Sequence, residues 1–282
     1  MGWIVYAVLV EDERADRAHS SRSRCQVACE HAYAGICRSS LLLQEVGSTQ
    51  PRVVIVDAIE LETPRWSHDG RIVVVAGRLD AEREGLFAVP RLSGTAQLIR
   101  PPGVYDTHPS ADSVLLLPFG NDGNLEALVI DLQSGTVADS FALPFAFASD
   151  VTWGPGGRLI AALAGGGLQI VDREGVMTAS LTVASRQAIR WSPDGMSLFL
   201  FRLGAVREDE RVRLAVNREG RIRTDPEIIM ARVPTLYRGE FDIARRTGRM
   251  VIGTGDAITD IWSFDLTSRP VVGRRETRGT TW

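Results

Sequence analysis

Residues Ile189–Phe201 read IRWSPDGMSLFLF, and Pro64–Ala76 read PRWSHDGRIVVVA. Both pass through Trp-Ser-x-Asp-Gly and run on into an apolar segment of strand character. Asp and Gly do different work in such a turn: the carboxylate accepts backbone N–H bonds, and glycine takes the left-handed conformation that other residues resist. VTWGPGGRLIAALA, Val151–Ala164, supplies a third copy with Trp153 and Gly156-Gly157. Two weaker copies are THPSADSVLLLPF, with Asp112-Ser113 in place of Asp-Gly, and FDIARRTGRMVIG, with Thr247-Gly248. Counted at residues 70, 113, 157, 195 and 248, the copies recur at intervals of 43, 44, 38 and 53 residues. That is the spacing expected of propeller blades.

Each copy continues alike. A strand follows the turn (72–76, 114–119, 159–163, 198–201, 250–253), then a second after a Gly- or charge-rich hairpin (86–89, 125–132, 168–172, 212–217, 260–266). A third is visible at 96–99, 137–143 and 177–183. With the strand that leads into the turn, each unit becomes a four-stranded antiparallel blade, and the chain is all-β. Runs such as IVVVA, VLLLPF and LFLF are apolar on both faces, as strands sandwiched between neighbouring blades must be.

The motif Pro-x-Trp-Ser-x-Asp-Gly followed by an apolar strand resembles the propeller repeat of the TolB-like, WD-like family. The match spans about residues 53–267 and is sharpest at Pro64–Gly70 and Trp191–Gly195. DIWSFDL, Asp260–Leu266, is similar to the third strand of such a blade. The resemblance implies a fold more than a function, since the repeat occurs in binding proteins, beside peptidase domains and behind kinase domains.

Five turn copies give five blades. Trp3–Val10, Leu41–Glu45 and Val53–Ile59 would serve as strands two to four of a sixth, whose first strand would come from Arg278–Trp282 and close the ring by pairing the termini. The expectation is a single propeller domain over 1–282, with a polar insertion at 11–40; a truncated copy of a longer propeller is the alternative.

Composition removes several function classes. The charge is −3, with 32 basic and 35 acidic residues, so no net basic field draws in nucleic acid. Every basic residue other than His is Arg; Schiff-base chemistry and phosphate-binding P-loops both need Lys. No apolar run approaches the ~20 residues that span a bilayer, and no convincing signal peptide is present. Cytoplasmic residence follows by default, or periplasmic residence if a leader precedes this sequence.

Cys25, Cys29, Cys37 and His31 cluster in the insertion, but the spacing suits neither zinc nor an iron–sulfur centre, so no metal or cofactor is expected. ALAGGGLQIV reads as a blade hairpin and not as a phosphate loop. VREDERVR, Val206–Arg213, reads as a solvated hairpin between two strands. No G-x-S-x-G nucleophile elbow occurs.

What remains is the funnel, where loops enter the first strand of each blade. These loops carry Glu62, Arg65, Tyr105, Asp106, His108, Asp150, Arg186, Arg190, Tyr237, Arg238 and Glu240. Aromatic residues with Arg on a concave rim are the composition of a hot spot for a protein or peptide. The expected function is a non-catalytic interaction scaffold, with Tyr105 and Tyr237 as anchors. Two alternatives stay open: a lyase or hydrolase using Asp106, His108, Asp150 and Glu240 around a channel-bound metal, or the sensor half of a larger kinase- or peptidase-linked protein. Oligomeric state is not readable from the sequence.

Overall fold

A computed structural model describes residues 3–11, 37–45, 52–62, 64–119, 125–183, 185, 188–203, 209–233, 241–243, 249–254, 260–265 and 272–275. The chain divides into two compact units, Met1–Gly103 and Val104–Trp282.

The first unit holds two sheets. β1 (Trp3–Glu11), β2 (Cys37–Glu45) and β3 (Arg52–Ala58) form a three-stranded antiparallel sheet. The second contains β4 (Glu60–Leu61), β5 (Arg65–Trp66), β6 (Ile72–Arg78), β7 (Glu84–Pro90) and β8 (Gln97–Arg100). Leu41 and Leu43 pack with Val73, Val75, Phe87 and Val89 in one core. The strands expected from 3–10, 41–45 and 53–59 therefore form. Glu11 pairs with Cys37, so the strands extend into both ends of the expected 11–40 insertion. Cys25, Cys29 and His31 lie outside the described residues, as do Arg278–Trp282 and the expected ring closure.

The second unit repeats one plan four times. Its four-stranded sheets are β9 (Gly103–Thr107) to β12, with β10 (Ser113–Pro118), β11 (Glu126–Asp131) and β12 (Val137–Ala142); β13 (Ala148–Trp153) to β16, with β14 (Leu159–Ala164), β15 (Gly167–Asp172) and β16 (Met177–Thr182); β17 (Ile189–Trp191) to β20, with β18 (Ser197–Leu203), β19 (Asp209–Ala215) and β20 (Glu227–Val233); and β21 (Phe241–Ile243) to β24, with β22 (Arg249–Thr254), β23 (Asp260–Asp265) and β24 (Val272–Arg275). These are the antiparallel blades of a β-propeller. First strands neighbour first strands, β13 beside β17 and β17 beside β21, so they are innermost. Burial follows position: Val114, Leu115 and Leu116 on β10 are 0% exposed, whereas β12 is mostly exposed. Each such buried side chain contributes about 1.5–3 kcal/mol, and the core lies between blades. One cluster joins β10 and β11 to β13 and β14, and the next joins β14 and β15 to β18 and β19.

The recurring turn explains its sequence. The Ser192 hydroxyl donates to Asp194 Oδ1 at 2.6 Å, the Met196 amide donates to the same oxygen at 3.0 Å, and Ser192 Oγ accepts the Ser197 amide at 2.9 Å. Ser67, Asp69, Arg71 and Ile72 repeat this pattern, and Gly70 and Gly195 take φ of 69° and 71°. Burial pushes the Asp194 carboxyl up, but the Ser192 hydroxyl and the Met196 amide outweigh it and hold the group below the usual carboxylate range. Asp69 is likewise lowered.

Two expectations shift. The His108 amide bonds the Ser113 carbonyl as Ser192 bonds Ser197, so Ser110-Ala111 stands where other copies have Asp-Gly, two residues before Asp112-Ser113. Without that Asp and Gly, the turn of the weak copy keeps the backbone bond but lacks the Ser–Asp side-chain pair that marks the register in the strong copies. VREDERVR is not a solvated hairpin throughout, because β19 begins at Asp209 and Arg211 is 0% exposed, packed on the rings of Phe201 and Phe241. Alternating charges mimic a solvated face when only alternate residues face solvent.

Among the described residues, no helix is long and apolar enough to cross a membrane.

Candidate functional site

The residue preceding Trp66, Thr107, Trp153 or Trp191 is Arg65, Asp106, Thr152 or Arg190, all polar and all buried, at 7%, 6%, 3% and 5% exposure. Buried polar side chains persist where they are hydrogen-bonded, and within the second unit the bonds run from blade to blade. Asp106 Oδ2 on β9 accepts the Thr152 hydroxyl at 3.0 Å and the Trp153 amide at 2.9 Å, both on β13. Asp150 Oδ2 on β13 accepts the Ile189 amide at 2.8 Å and Arg190 Nη1 at 3.0 Å, both on β17. Its Oδ1 accepts the Val151 amide at 2.9 Å. Arg190 Nε then lies 3.7 Å from Asp242 Oδ1 on β21, a charge contact too long for a hydrogen bond. Four consecutive first strands are thereby joined by a belt of side chains.

Of the expected rim residues, the structure brings Asp106, Asp150 and Arg190 into this belt. Tyr105, on β9, is 7% exposed. Arg65 and the half-buried Glu62 belong to the first unit; the Glu62 amide donates to the Ala76 carbonyl at 2.8 Å, and Arg65 Nη1 donates to the Pro64 carbonyl at 3.4 Å. His108 stands in the turn after β9, at the far end of that strand from the loop that enters it. Its Nδ1 accepts the Ser110 amide at 3.2 Å, and its ring meets Trp153 edge-on, with centroids 4.8 Å apart. Arg186, Tyr237, Arg238 and Glu240 lie outside the described residues.

The loop edge of the β9–β12 sheet carries a feature that the sequence reading passed over. Phe119 immediately follows β10 and is 51% exposed; Phe147 immediately precedes β13 and is 62% exposed. β10 runs antiparallel to β9, so its end lies at the edge where loops enter first strands, and Phe147 is on such a loop. The backbone fixes that loop: the Leu125 amide donates to the Phe145 carbonyl at 3.0 Å, and the Leu143 amide to the Leu125 carbonyl at 2.8 Å. Phe145 is buried at 7% while Phe147 remains outside. The available signal was phenylalanine in Pro-containing connections, at Pro118-Phe119 and Pro144-Phe145-Ala146-Phe147. Among the described residues, no cluster of three or more His, Cys, Asp or Glu is placed to hold a metal ion.

Comparison with family models and with curated proteins gives no match. Among solved structures, the chain is similar to TolB from Acinetobacter baumannii, with a TM-score of 0.64 and 16% identity over 86% of this chain and 60% of that one. It is similar to the β-propeller domain of Cps50 (Swd1) from Myceliophteria thermophila, with a TM-score of 0.55 and 13% identity, covering 86% and 83%. It is also similar to Pyrococcus horikoshii acylaminoacyl peptidase, with a TM-score of 0.58 and 11% identity, covering 98% of this chain and 51% of that one. The chain thus spans about 60% of the TolB chain and about half of the peptidase chain. Identities this low carry the propeller fold and nothing finer.

Proposed function

We propose that this chain is a TolB-like propeller scaffold that binds a protein or peptide at the edge where loops enter the first strands. The observation that supports it is the exposure of Phe119 and Phe147, at 51% and 62%, on one edge of the propeller. Large aromatic rings held in water by a fixed backbone are the residues that dominate interface energetics. Arg186, Tyr237, Arg238 and Glu240, expected from the sequence alone at such loops, are included in this reading, with the arginines to supply carboxylate contacts. The belt acids then hold the blades so that the edge is presented preformed, which lowers the ordering cost of binding.

The test places a photo-crosslinking amino acid at position 147, at 119, or at the partly exposed Met196 on the opposite edge, in the native host. A discrete adduct from 147 and 119 and none from 196 is expected. The isolated partner should then bind Phe119→Ser/Phe147→Ser at least about 30-fold more weakly, a hot-spot loss of ~2 kcal/mol. Equal adducts from all three positions, or unchanged affinity, would refute the reading.

A further inference from the structure

Trp153 ends β13 and Trp191 ends β17, and both are buried, at 3% and 6% exposure. Among the described residues, neither indole N–H meets a hydrogen-bond acceptor. Trp66 in the first unit has the same orphaned N–H, although that residue is only half-buried. A buried indole N–H ordinarily finds a partner, because a donor left unpaired away from water is costly. Recurrence at equivalent positions of the repeat calls for a common cause.

Each of the two tryptophans packs on the turn of the preceding blade, and each of those turns has acceptor capacity to spare. Trp191 lies over Gly154: a β-carbon there would come 3.3 Å from Trp191 Cε2, the ring atom bonded to Nε1, and 3.1 Å from the Leu159 carbonyl oxygen. That oxygen accepts the Gly154 amide at 2.7 Å and keeps a second lone pair. Trp153 meets His108 edge-on, with ring centroids 4.8 Å apart, on the turn that the His108 amide closes by donating to the Ser113 carbonyl. Asp112 belongs to this turn, and its buried Oδ1 has no hydrogen-bond partner among the described residues. An orphaned donor and an orphaned acceptor thus belong to one blade boundary, and no bond joins them.

We infer that each of these two boundaries binds one ordered water, which accepts from the indole N–H and donates to Asp112 Oδ1 beside Trp153 and to the Leu159 carbonyl beside Trp191. Two polar partners are the minimum that a buried water takes, and both sites supply them. The two facing turns differ in sequence, HPSADS at 108–113 and GPGGRL at 154–159, so no one side chain could serve both tryptophans. A water can, because it turns its hydrogens toward a carboxylate or a carbonyl alike. The indole then joins blades through its N–H as well as through its ring. This inference is independent of the edge reading, since neither Phe119 nor Phe147 takes part.

The test is nuclear magnetic resonance of the full chain with nitrogen-15 at its tryptophans, in which Trp153→Phe and Trp191→Phe assign the two indole signals. Both indole protons should exchange with D2O at least about 100-fold more slowly than those of free tryptophan. Both should nevertheless show cross-relaxation with water, of opposite sign in NOE and ROE spectra, the mark of a water held for nanoseconds or longer. Asp112→Ala should abolish the water cross-peak of Trp153 and leave that of Trp191, whose persistence shows that the propeller is still folded. Asp112→Asn, which keeps an acceptor oxygen, should retain it. Slow exchange without a water cross-peak would overturn the proposal, since the indoles would then be held dry, against a ring such as His108 or in a direct bond. Rapid exchange would overturn it too, by showing a boundary open to solvent. A Trp153 cross-peak indifferent to Asp112→Ala would refute the bridge to that carboxylate.

Discussion

Asp150→Ala removes a carboxylate that joins two blades, and the structure sets the size of the loss. Two neutral amides, Val151 and Ile189, donate to it at 2.9 and 2.8 Å, and Arg190 Nη1 donates at 3.0 Å. The carboxylate makes all three bonds charge-assisted, and at ~1.5 kcal/mol each, the low end of the range for a half-buried group, the direct loss is about 4.5 kcal/mol. A second route gives a similar figure: Arg190 is 5% exposed and would keep only its bond to the Ile189 carbonyl and the 3.7 Å contact with Asp242, neither of which pairs its charge closely, and breaking a buried ion pair from one side costs about 3–5 kcal/mol. Asp150→Asn keeps one carbonyl acceptor for an amide while losing the charge, so about half the loss is expected. Arg190→Met alone leaves Asp150 two amide donors. The double variant Asp150→Ala/Arg190→Met should be less destabilised than the two single changes together by about 2 kcal/mol, because no buried charge is then orphaned. Urea unfolding of the four proteins, read by far-UV circular dichroism and by the indole fluorescence of the repeat tryptophans, completes the cycle. Additive losses, or a loss below 1 kcal/mol for Asp150→Ala, would show that the belt does not hold the blades.

Gly157 has φ of 67°, and a β-carbon there would run into His108 Nε2, whose ring is held against Trp153; neighbouring Gly156, at φ 79°, faces open space. Gly156→Ala should therefore cost about 1 kcal/mol of strain, and Gly157→Ala ~1–3 kcal/mol more, the excess disappearing in a His108→Ala background when melting curves are compared. The lowered pKa values of Asp69 and Asp194 mean that the folded state binds those protons less readily than the unfolded chain. Their contribution is complete above the unfolded value of about 3.9 and is lost as pH falls through the folded values, so urea midpoints should drop below about pH 4, and less steeply in Asp194→Asn.

The fold was legible because its repeat is chemical. Trp-Ser-x-Asp-Gly writes its hydrogen bonds into side chains, and the apolar runs that follow are buried on both faces. Where those side chains are replaced, as at His108-Pro109-Ser110-Ala111, the register slips out of view although the backbone turn persists. β20 escaped notice for a related reason: EIIMARV is the outer strand of its blade and follows a connection without Gly-rich punctuation at its near end. The site was less legible than the fold. Aspartate and arginine near the start of a first strand look alike in sequence whether they point to solvent or to the next blade. Phe119 and Phe147, in turn, look like the ends of apolar strands until the loop's backbone bonds place Phe145 inside.

That ambiguity bears on what the acids near the axis can do. An acid that binds a metal, or serves as a general base, must offer a lone pair to the incoming group. Asp106 Oδ2 already accepts Thr152 Oγ and the Trp153 amide, and Asp150 accepts three donors, so a cation or reacting group at either carboxylate would compete for charge with the bonds that tie it to the next blade. Binding at the edge carries no such conflict. Adding divalent metal should therefore not raise the melting temperature through these two acids, and Asp106→Asn, which retains one acceptor oxygen, should lower stability by about 1–2 kcal/mol without changing affinity for a partner captured at Phe147. A metal-dependent rise in melting temperature that Asp106→Asn or Asp150→Asn abolishes would show instead that the belt opens to accept a cation.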